Sequence, residues 1–92
     1  MEFEVAIPSP LRSYTGGAGS VRVAVRAAAP TLRGLLEALD QDYPGIRFRM
    51  FDEQEKLRPH IQVFVNALVQ RDAAAELPAG AKVMIVAALS GG

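Results

Sequence analysis

PTLRGLLEALDQDYPG, residues 30–45, is the stretch that decides the fold, because it is the one long segment of the chain with helical spacing. Its apolar residues recur at intervals that place them on one face of a helix: Leu32, Leu35, Leu36, Leu39 and Tyr43. Thr31 is the predicted N-cap, and Pro44-Gly45 is expected to end the helix. The rest of the chain must supply the sheet that this apolar stripe covers.

Strand patterns flank the helix on both sides. Residues 2–7 (EFEVAI) and 21–25 (VRVAV) alternate between large apolar residues and polar or small ones, as in a strand with one buried face. The turn-forming stretch SYTGGAGS, residues 13–20, joins them, so we expect a hairpin with a long loop. Residues 46–60 have no clean period and are interpreted as an irregular connection with one short helical turn. Three more strands are predicted: IQVFV at 61–65, LVQ at 68–70 and KVMIV at 82–86.

The sequence is compatible with two turn geometries at Asn66-Ala67. A two-residue turn of type I′ requires positive φ at both central residues, and the Cβ of alanine disfavours that conformation. The sequence therefore allows either a tight turn with a strained Ala67 or a longer turn.

The predicted order β-β-α-β-β-β is that of the β-grasp fold. We expect an α+β, ubiquitin-like domain over residues 1–92, with a mixed sheet of four to five strands and one main helix packed across it. The first and last strands are expected to run parallel at the centre, because the helix between them provides the long crossover that parallel pairing needs. Residues 87–92 would then form a flexible C-terminal tail that leaves from the middle of the sheet.

Composition excludes several classes of partner and site. Ten Lys and Arg residues balance ten Asp and Glu residues, so no net field attracts nucleic acid. The absence of cysteine excludes disulfides and thiolate metal sites. No apolar run approaches the roughly 18–20 residues that span a bilayer, and the N-terminal residues are acidic where a signal peptide would be basic. We expect a cytoplasmic protein without a membrane partner.

Side chains that could carry chemistry are isolated from one another in the sequence. The glycine-rich residues 16–20 lack the lysine and the following helix of a phosphate-binding loop. His60 is the single histidine, and Asp52, Glu53 and Glu55 lack the alternating pattern of a calcium loop. We therefore expect no metal, no cofactor bound by this chain and no enzymatic activity.

Phe64 is the residue of the body of the chain that most suggests a partner. Val63 and Val65 already occupy the core face of its strand, so Phe64, Met84 and Val86 are expected to face away from the helix. A single exposed aromatic residue is ordinary, but together with Val69 and Val86 it would form an apolar docking face.

The final residues Leu89-Ser90-Gly91-Gly92 suit entry into a narrow channel, because consecutive glycines have no Cβ. Five or six extended residues would reach about 17–21 Å from the sheet. A carboxylate at Gly92 is ionised at neutral pH and is a poor electrophile, so its chemistry requires activation by another enzyme.

The sequence resembles the ThiS/MoaD family of ubiquitin-like sulfur carriers, most closely the CysO-type branch. The resemblance covers nearly the whole length and lies in LRSYTGGAGSVRV, the helical stretch with its exit, LRPHIQVFVN, PAGAKVMIV and the terminal LSGG. The chain departs from the family at Ala67, where relatives commonly have glycine.

The resemblance implies a reaction cycle at Gly92, with Gly91 beside it. A ubiquitin-activating-type adenylyltransferase/sulfurtransferase would use ATP to adenylate the carboxylate and convert it to a thiocarboxylate. That group would donate sulfur to an acceptor enzyme, such as a cysteine synthase, the large subunit of molybdopterin synthase or a thiazole synthase. Residues expected to contact these partners are Phe64, Val69, Val86, Leu89 and Ser90.

Two other functions remain open on the same sequence. A covalent protein modifier would use an activated Gly92 to acylate lysines and needs the same fold and terminus. An interaction domain without chemistry would not need the Gly-Gly end, which argues against it.

Overall fold

The computed structural model describes residues 1–88, in which one mixed sheet is covered on one face by a helix. The helices are α1 (Leu32–Asp42) and α2 (Ile46–Met50), and a 3-10 helix spans Ser9–Thr15. The strands are β1 (Glu2–Ala6), β2 (Ser20–Ala24), β3 (Ile61–Val65), β4 (Leu68–Val69) and β5 (Lys82–Ala87).

The sheet has the strand order β2-β1-β5-β3-β4. β1 and β5 are parallel, with Val5 beside Val83, and the other neighbouring strands are antiparallel. The prediction of a β-grasp with parallel first and last strands is therefore confirmed. β5 is the central strand, so the chain approaches its C-terminus from the middle of the sheet.

The apolar stripe of α1 lies against this sheet as its spacing predicts. Thr31 caps the helix, since its Oγ1 accepts a hydrogen bond from the Gly34 N–H at 3.1 Å. The four leucines of the stripe are fully buried, and each such burial stabilises the fold by about 1.5–3 kcal/mol: Leu32, Leu35, Leu36 and Leu39. Tyr43 follows the last turn as the C-cap and is half-buried. One helix thus closes the core over the inward-facing residues of the strands.

The loop between β1 and β2 contains structure that the sequence analysis did not predict. Residues 9–15 form the 3-10 helix, which buries Leu11 and Thr15. The Thr15 hydroxyl lies 2.9 Å from the carbonyl oxygen of Ala18, to which it donates, and the Gly17 N–H donates to Arg12. The expected long loop is therefore a packed segment that holds one end of the sheet.

The connection 46–60 contains the one short helical turn that was predicted, α2. Asp40 orients it, because its Oδ1 accepts hydrogen bonds from the N–H groups of Gly45 and Arg47 at 3.0 and 3.1 Å. Gly45 has φ +101°, a conformation that glycine adopts without strain. Three apolar residues of this connection join the core, which the irregular pattern did not indicate: Ile46, Met50 and Phe51.

The turn between β3 and β4 is tight, so the longer-turn alternative is wrong. Val65 pairs directly with Leu68, and the two residues between them have positive φ, 49° at Asn66 and 69° at Ala67. Asn66 also binds β5, because its Oδ1 accepts from the Lys82 N–H and its own N–H donates to the Lys82 carbonyl. β4 ends at Val69, one residue earlier than expected.

β5 continues further than the sequence predicted. Ala87 belongs to the strand and pairs with Ile61, and the Ala88 N–H donates to the carbonyl oxygen of His60 at 2.8 Å. The prediction that the strand ends at Val86 is wrong by one residue. Of the tail predicted over 87–92, residues 89–92 lie outside the described residues.

Among residues 1–88, no helix is both long enough and apolar enough to cross a membrane.

Candidate functional site

The open face of the sheet is formed by alternate residues of β5. Val83 and Ile85 point toward α1 and are each 2% exposed, whereas Met84 between them is 51% exposed. Val86 lies on the same side as Met84 and is half-buried. The period of two along a strand thus gives β5 one face in the core and one apolar face outside it.

Neighbouring strands extend this apolar face across the sheet. Met84 pairs with Phe64 on β3 and with Ala6 on β1, so these three side chains form a row over three strands. Glu4 and Lys82 form the next row and give the face a charged border. We call the depression lined by Ala6, Phe64, Met84 and Val86 the sheet groove.

The sheet groove leads to the end of the central strand. A second depression shares Ala6, Met84 and Val86 with it and continues past Pro8 and Pro10 to Ala87. An exposed apolar surface bordered by charged residues is typical of a protein interface. The groove therefore has the composition of a docking surface that ends where the chain leaves the sheet.

The pairing register places Phe64, Val69 and Val86 on the same outward face of the sheet. Val69 is the direct cross-strand partner of Phe64 and is 45% exposed. Because β4 is the edge strand, Val69 lies at the border of this apolar face, whereas Val86 lies on the central strand.

Two residues of the sheet groove were absent from the predicted site. Met84 was expected to face outward but was not assigned to partners, although its position on a period-two strand was the available signal. Ala6 could not have been identified, because its place beside Met84 depends on the register of the parallel pair β1–β5, which the sequence pattern does not define.

Leu89, Ser90, Gly91 and Gly92, on which the predicted chemistry depends, lie outside the described residues. Ala88 is the last described residue, and four residues follow it in the sequence. At about 3.3–3.6 Å per residue, those four span at most about 13–14 Å. This limit is shorter than the reach expected from the sequence, because β5 takes up Ala87 and the next residue is hydrogen-bonded to His60.

Two of the acidic residues in this connection, Asp52 and Glu55, have structural partners. The Asp52 carboxylate accepts hydrogen bonds from the N–H groups of Lys56 and Gln54, and Glu55 forms an ion pair with Arg47 at 3.0 Å. The hydrogen bond from Lys56 is the largest cause that lowers the pKa of Asp52. Residues 1–88 contain no cluster of three or more potential metal-binding His, Cys, Asp or Glu residues.

The glycine-rich loop is a turn of the β1–β2 connection. Gly16 and Gly17 have positive φ, at 65° and 91°, and follow the 3-10 helix. β2 begins at Ser20, so no helix follows the loop to present N–H groups to a phosphate.

Comparison with known proteins places these features in a family. The model of the ThiS family matches residues 5–92. The sulfur carrier protein CysO of Mycobacterium tuberculosis strain H37Rv is 35% identical over 68 residues, which are 72% of this chain and 69% of CysO. A chain of the BexX/CysO complex of Amycolatopsis orientalis has a TM-score of 0.83 at 32% identity, covering 98% of this chain and 99% of that chain. SAMP1 of Haloferax volcanii has a TM-score of 0.85 at 26% identity and covers 100% of both chains.

Proposed function

Because the chain belongs to the ThiS family and is a sulfur carrier protein of the CysO type, we propose that its chemistry takes place at the carboxylate of Gly92. The observation that carries the proposal is the match of the family model through Gly92, together with the central position in the sheet of β5, the last described strand. The protein then acts as a tethered substrate and not as an enzyme.

The proposed cycle has four steps. An oxygen of the Gly92 carboxylate attacks the α-phosphate of ATP in an adenylyltransferase/sulfurtransferase, which forms an acyl-adenylate and releases pyrophosphate. A sulfur donor of that enzyme supplies a sulfide equivalent to the carbonyl carbon, and AMP leaves. The resulting thiocarboxylate sulfur then attacks an electrophilic carbon in an acceptor enzyme, and that carbon either loses a leaving group or passes the electron pair of its double bond to a proton. Water then hydrolyses the new thioester, which returns the Gly92 carboxylate and releases the sulfur on the acceptor as a thiol.

Tethering explains what a protein carrier adds to this chemistry. Free sulfide must collide with the acceptor, whereas a sulfur atom held at the end of a docked domain reacts as if in the same molecule. The carrier supplies no cofactor of its own in this scheme, since ATP belongs to the adenylating partner. Candidate acceptors are a cysteine synthase, the large subunit of molybdopterin synthase and a thiazole synthase, all in the cytoplasm.

We propose that the sheet groove is the surface through which these enzymes hold the carrier. Phe64, Met84 and Val86 provide the apolar contact, and Ala88 is where the segment toward Gly92 begins. The BexX/CysO complex supports assembly of a CysO-type carrier with a partner protein. Leu89 and Ser90 would contact the channel of the partner, and Gly91 would fit its narrowest part.

Intact mass spectrometry tests the proposal directly. The full chain is incubated with ATP, a sulfide source and the adenylating enzyme of the same organism. We expect a mass gain equal to the replacement of one oxygen by sulfur, located at Gly92 by fragmentation. A chain that lacks Gly92 is the control and should gain nothing. No mass change in the full chain under these conditions would contradict the proposed chemistry.

A covalent protein modifier is the second candidate. It is favoured by the similarity, over the full length of both chains, to SAMP1, the small archaeal modifier protein 1 of Haloferax volcanii. In that function the acyl-adenylate is passed to lysine amines of other proteins instead of to sulfur. Lysine-linked species that appear in cell extracts with ATP and disappear when Gly92 is deleted would support it.

A further inference from the structure

A second surface lies at the end of β5, on the opposite side of the strand from the sheet groove. It is formed by side chains from three segments around Ala87 and Ala88: Tyr14, Phe48, Arg49, Arg58 and His60. We call it the arginine surface. It adjoins Ile61 and Ala87, which are on the helix-facing side of their strands.

The two arginines of this surface are held by neutral groups. Arg49 donates from Nε to the Tyr14 hydroxyl at 2.6 Å, and Arg58 donates from Nε to the Phe48 carbonyl at 3.0 Å. The Arg58 guanidinium also lies 5.3 Å from the centre of the Phe48 ring, a cation–π distance. These contacts orient both guanidinium groups without neutralising their charge.

No carboxylate of residues 1–88 lines this surface or forms an ion pair with its arginines. The pKa of the Asp52 carboxyl is lowered mainly by the hydrogen bond from the Lys56 N–H and, to a smaller degree, by the positive charge of Arg58. With two guanidinium groups and no lining carboxylate, the arginine surface is a local excess of positive charge beside Ala88.

Phe48 adds an apolar element to this excess of charge. It is 66% exposed, although it sits between the buried residues of α2. Arginine and aromatic side chains are enriched at the centres of protein interfaces, and a guanidinium binds a carboxylate through two parallel hydrogen bonds. The composition thus matches a protein surface that presents carboxylates.

We propose that the arginine surface binds an acidic segment at the entrance of the active site that adenylates Gly92. The proposal rests on the function proposed above. An enzyme that acts on Gly92 must admit residues that span at most about 13–14 Å from Ala88, so its entrance must lie against the surfaces around Ala88. The sheet groove and the arginine surface then contact the entrance from the two sides of β5.

Electrostatics explains why the adenylating enzyme needs such a contact. Its active site holds ATP, and the incoming Gly92 carboxylate is also negative, so the two repel each other on approach. A positive surface at the base of the entering segment, facing acidic residues at the entrance, offsets this repulsion and raises the rate of productive encounter.

Charge reversal tests the proposal. The full chain and the variants Arg49→Glu and Arg49→Glu/Arg58→Glu are compared in ATP–pyrophosphate exchange with the adenylating enzyme of the same organism. We expect the KM for the carrier to rise about tenfold or more in the double variant while kcat changes little. Arg71→Glu, an exposed arginine beyond β4, is the matched control and should leave KM unchanged.

Salt and the conservative variant separate a charge contact from a structural effect. The KM of the full chain should rise with salt, the double variant should lose most of that dependence, and Arg49→Lys should retain much of the activity. An unchanged KM in the double variant, or a rise in KM that does not depend on salt, would overturn the proposal that the arginine surface binds an acidic segment. Absence of exchange with the unaltered chain would instead refute the function proposed for Gly92, and with it this contact.

Discussion

Ala67 has φ +69° in the two-residue turn between β3 and β4. An L-residue in this region places its Cβ too close to the backbone, which costs about 1–2 kcal/mol. The conformation persists because Asn66 makes two hydrogen bonds to Lys82 of the central strand, and because Val65 pairs directly with Leu68. At the scale of a residue, the turn is held by its surroundings against the preference of its own side chain.

Replacing Ala67 by glycine should therefore stabilise the protein. Glycine removes the strain but loses more backbone entropy on folding, so we expect a net gain of about 1 kcal/mol in the free energy of unfolding. Urea unfolding followed by circular dichroism measures the change. Ala28→Gly, at an exposed alanine without positive φ, is the control and should be neutral or destabilising. A lower stability for Ala67→Gly would show that the turn is not strained.

One face of β5 packs in the core, and the other forms part of the proposed docking surface. Ile85 is 2% exposed in the core, and Met84, the preceding residue, is 51% exposed in the sheet groove. The strand is central and hydrogen-bonded on both sides, so its outward face is rigid without depending on the outward side chains. At the scale of an element, stability and recognition are carried by adjacent residues of one strand.

Alanine at these two positions should separate the two functions. Met84→Ala is expected to change the free energy of unfolding by less than about 0.5 kcal/mol, since its side chain is half exposed. It should weaken binding to the adenylating enzyme about tenfold, measured by titration calorimetry. Ile85→Ala is the matched control and should cost about 2–5 kcal/mol of stability, because it leaves a cavity in the core. Binding that is equally strong for Met84→Ala and the unaltered chain would place the interface elsewhere.

Residues 1–88 form a folded support for the proposed chemistry of the residues that follow them. Along the sequence, the buried core residues of the described chain run from Phe3 to Ile85. The central strand β5 continues past Ile85. Sheet groove and arginine surface lie on opposite sides of the strand end. At this scale, the fold positions surfaces around Ala88, and the chemistry is assigned to residues that follow it.

Changes at the terminus should therefore affect activation without affecting the fold. Deletion of Gly92, or Gly91→Val, is expected to abolish adenylation in the exchange assay, because the carboxylate no longer reaches the active site or the side chain blocks its channel. The melting temperature should stay within about 1–2 °C of the unaltered chain, since substitutions outside the core change stability little. A large drop in melting temperature on deletion of Gly92 would contradict this separation.

Much of the fold could be predicted because its signals are local. The spacing of the leucines in α1 and the alternation in β1, β3 and β5 depend on residues a few positions apart, and the cap at Thr31 is read from one residue. Residues 9–15 and 46–51 were harder to predict because their apolar residues have no regular period, although Leu11, Met50 and Phe51 are buried. Their burial follows from where neighbouring segments place them.

The sequence by itself determined the order of the elements, the face of β5 that lies outside the core, and the family match that extends to Gly92. Only the tertiary structure decided that Ala6 lies beside Met84 and that Arg49 and Arg58 both line the surface beside Ala88. The physical reason is the sequence separation of the residues that interact. Helix and strand periods arise from neighbouring residues, whereas strand pairing and the meeting of distant loops depend on how the whole chain closes around one core.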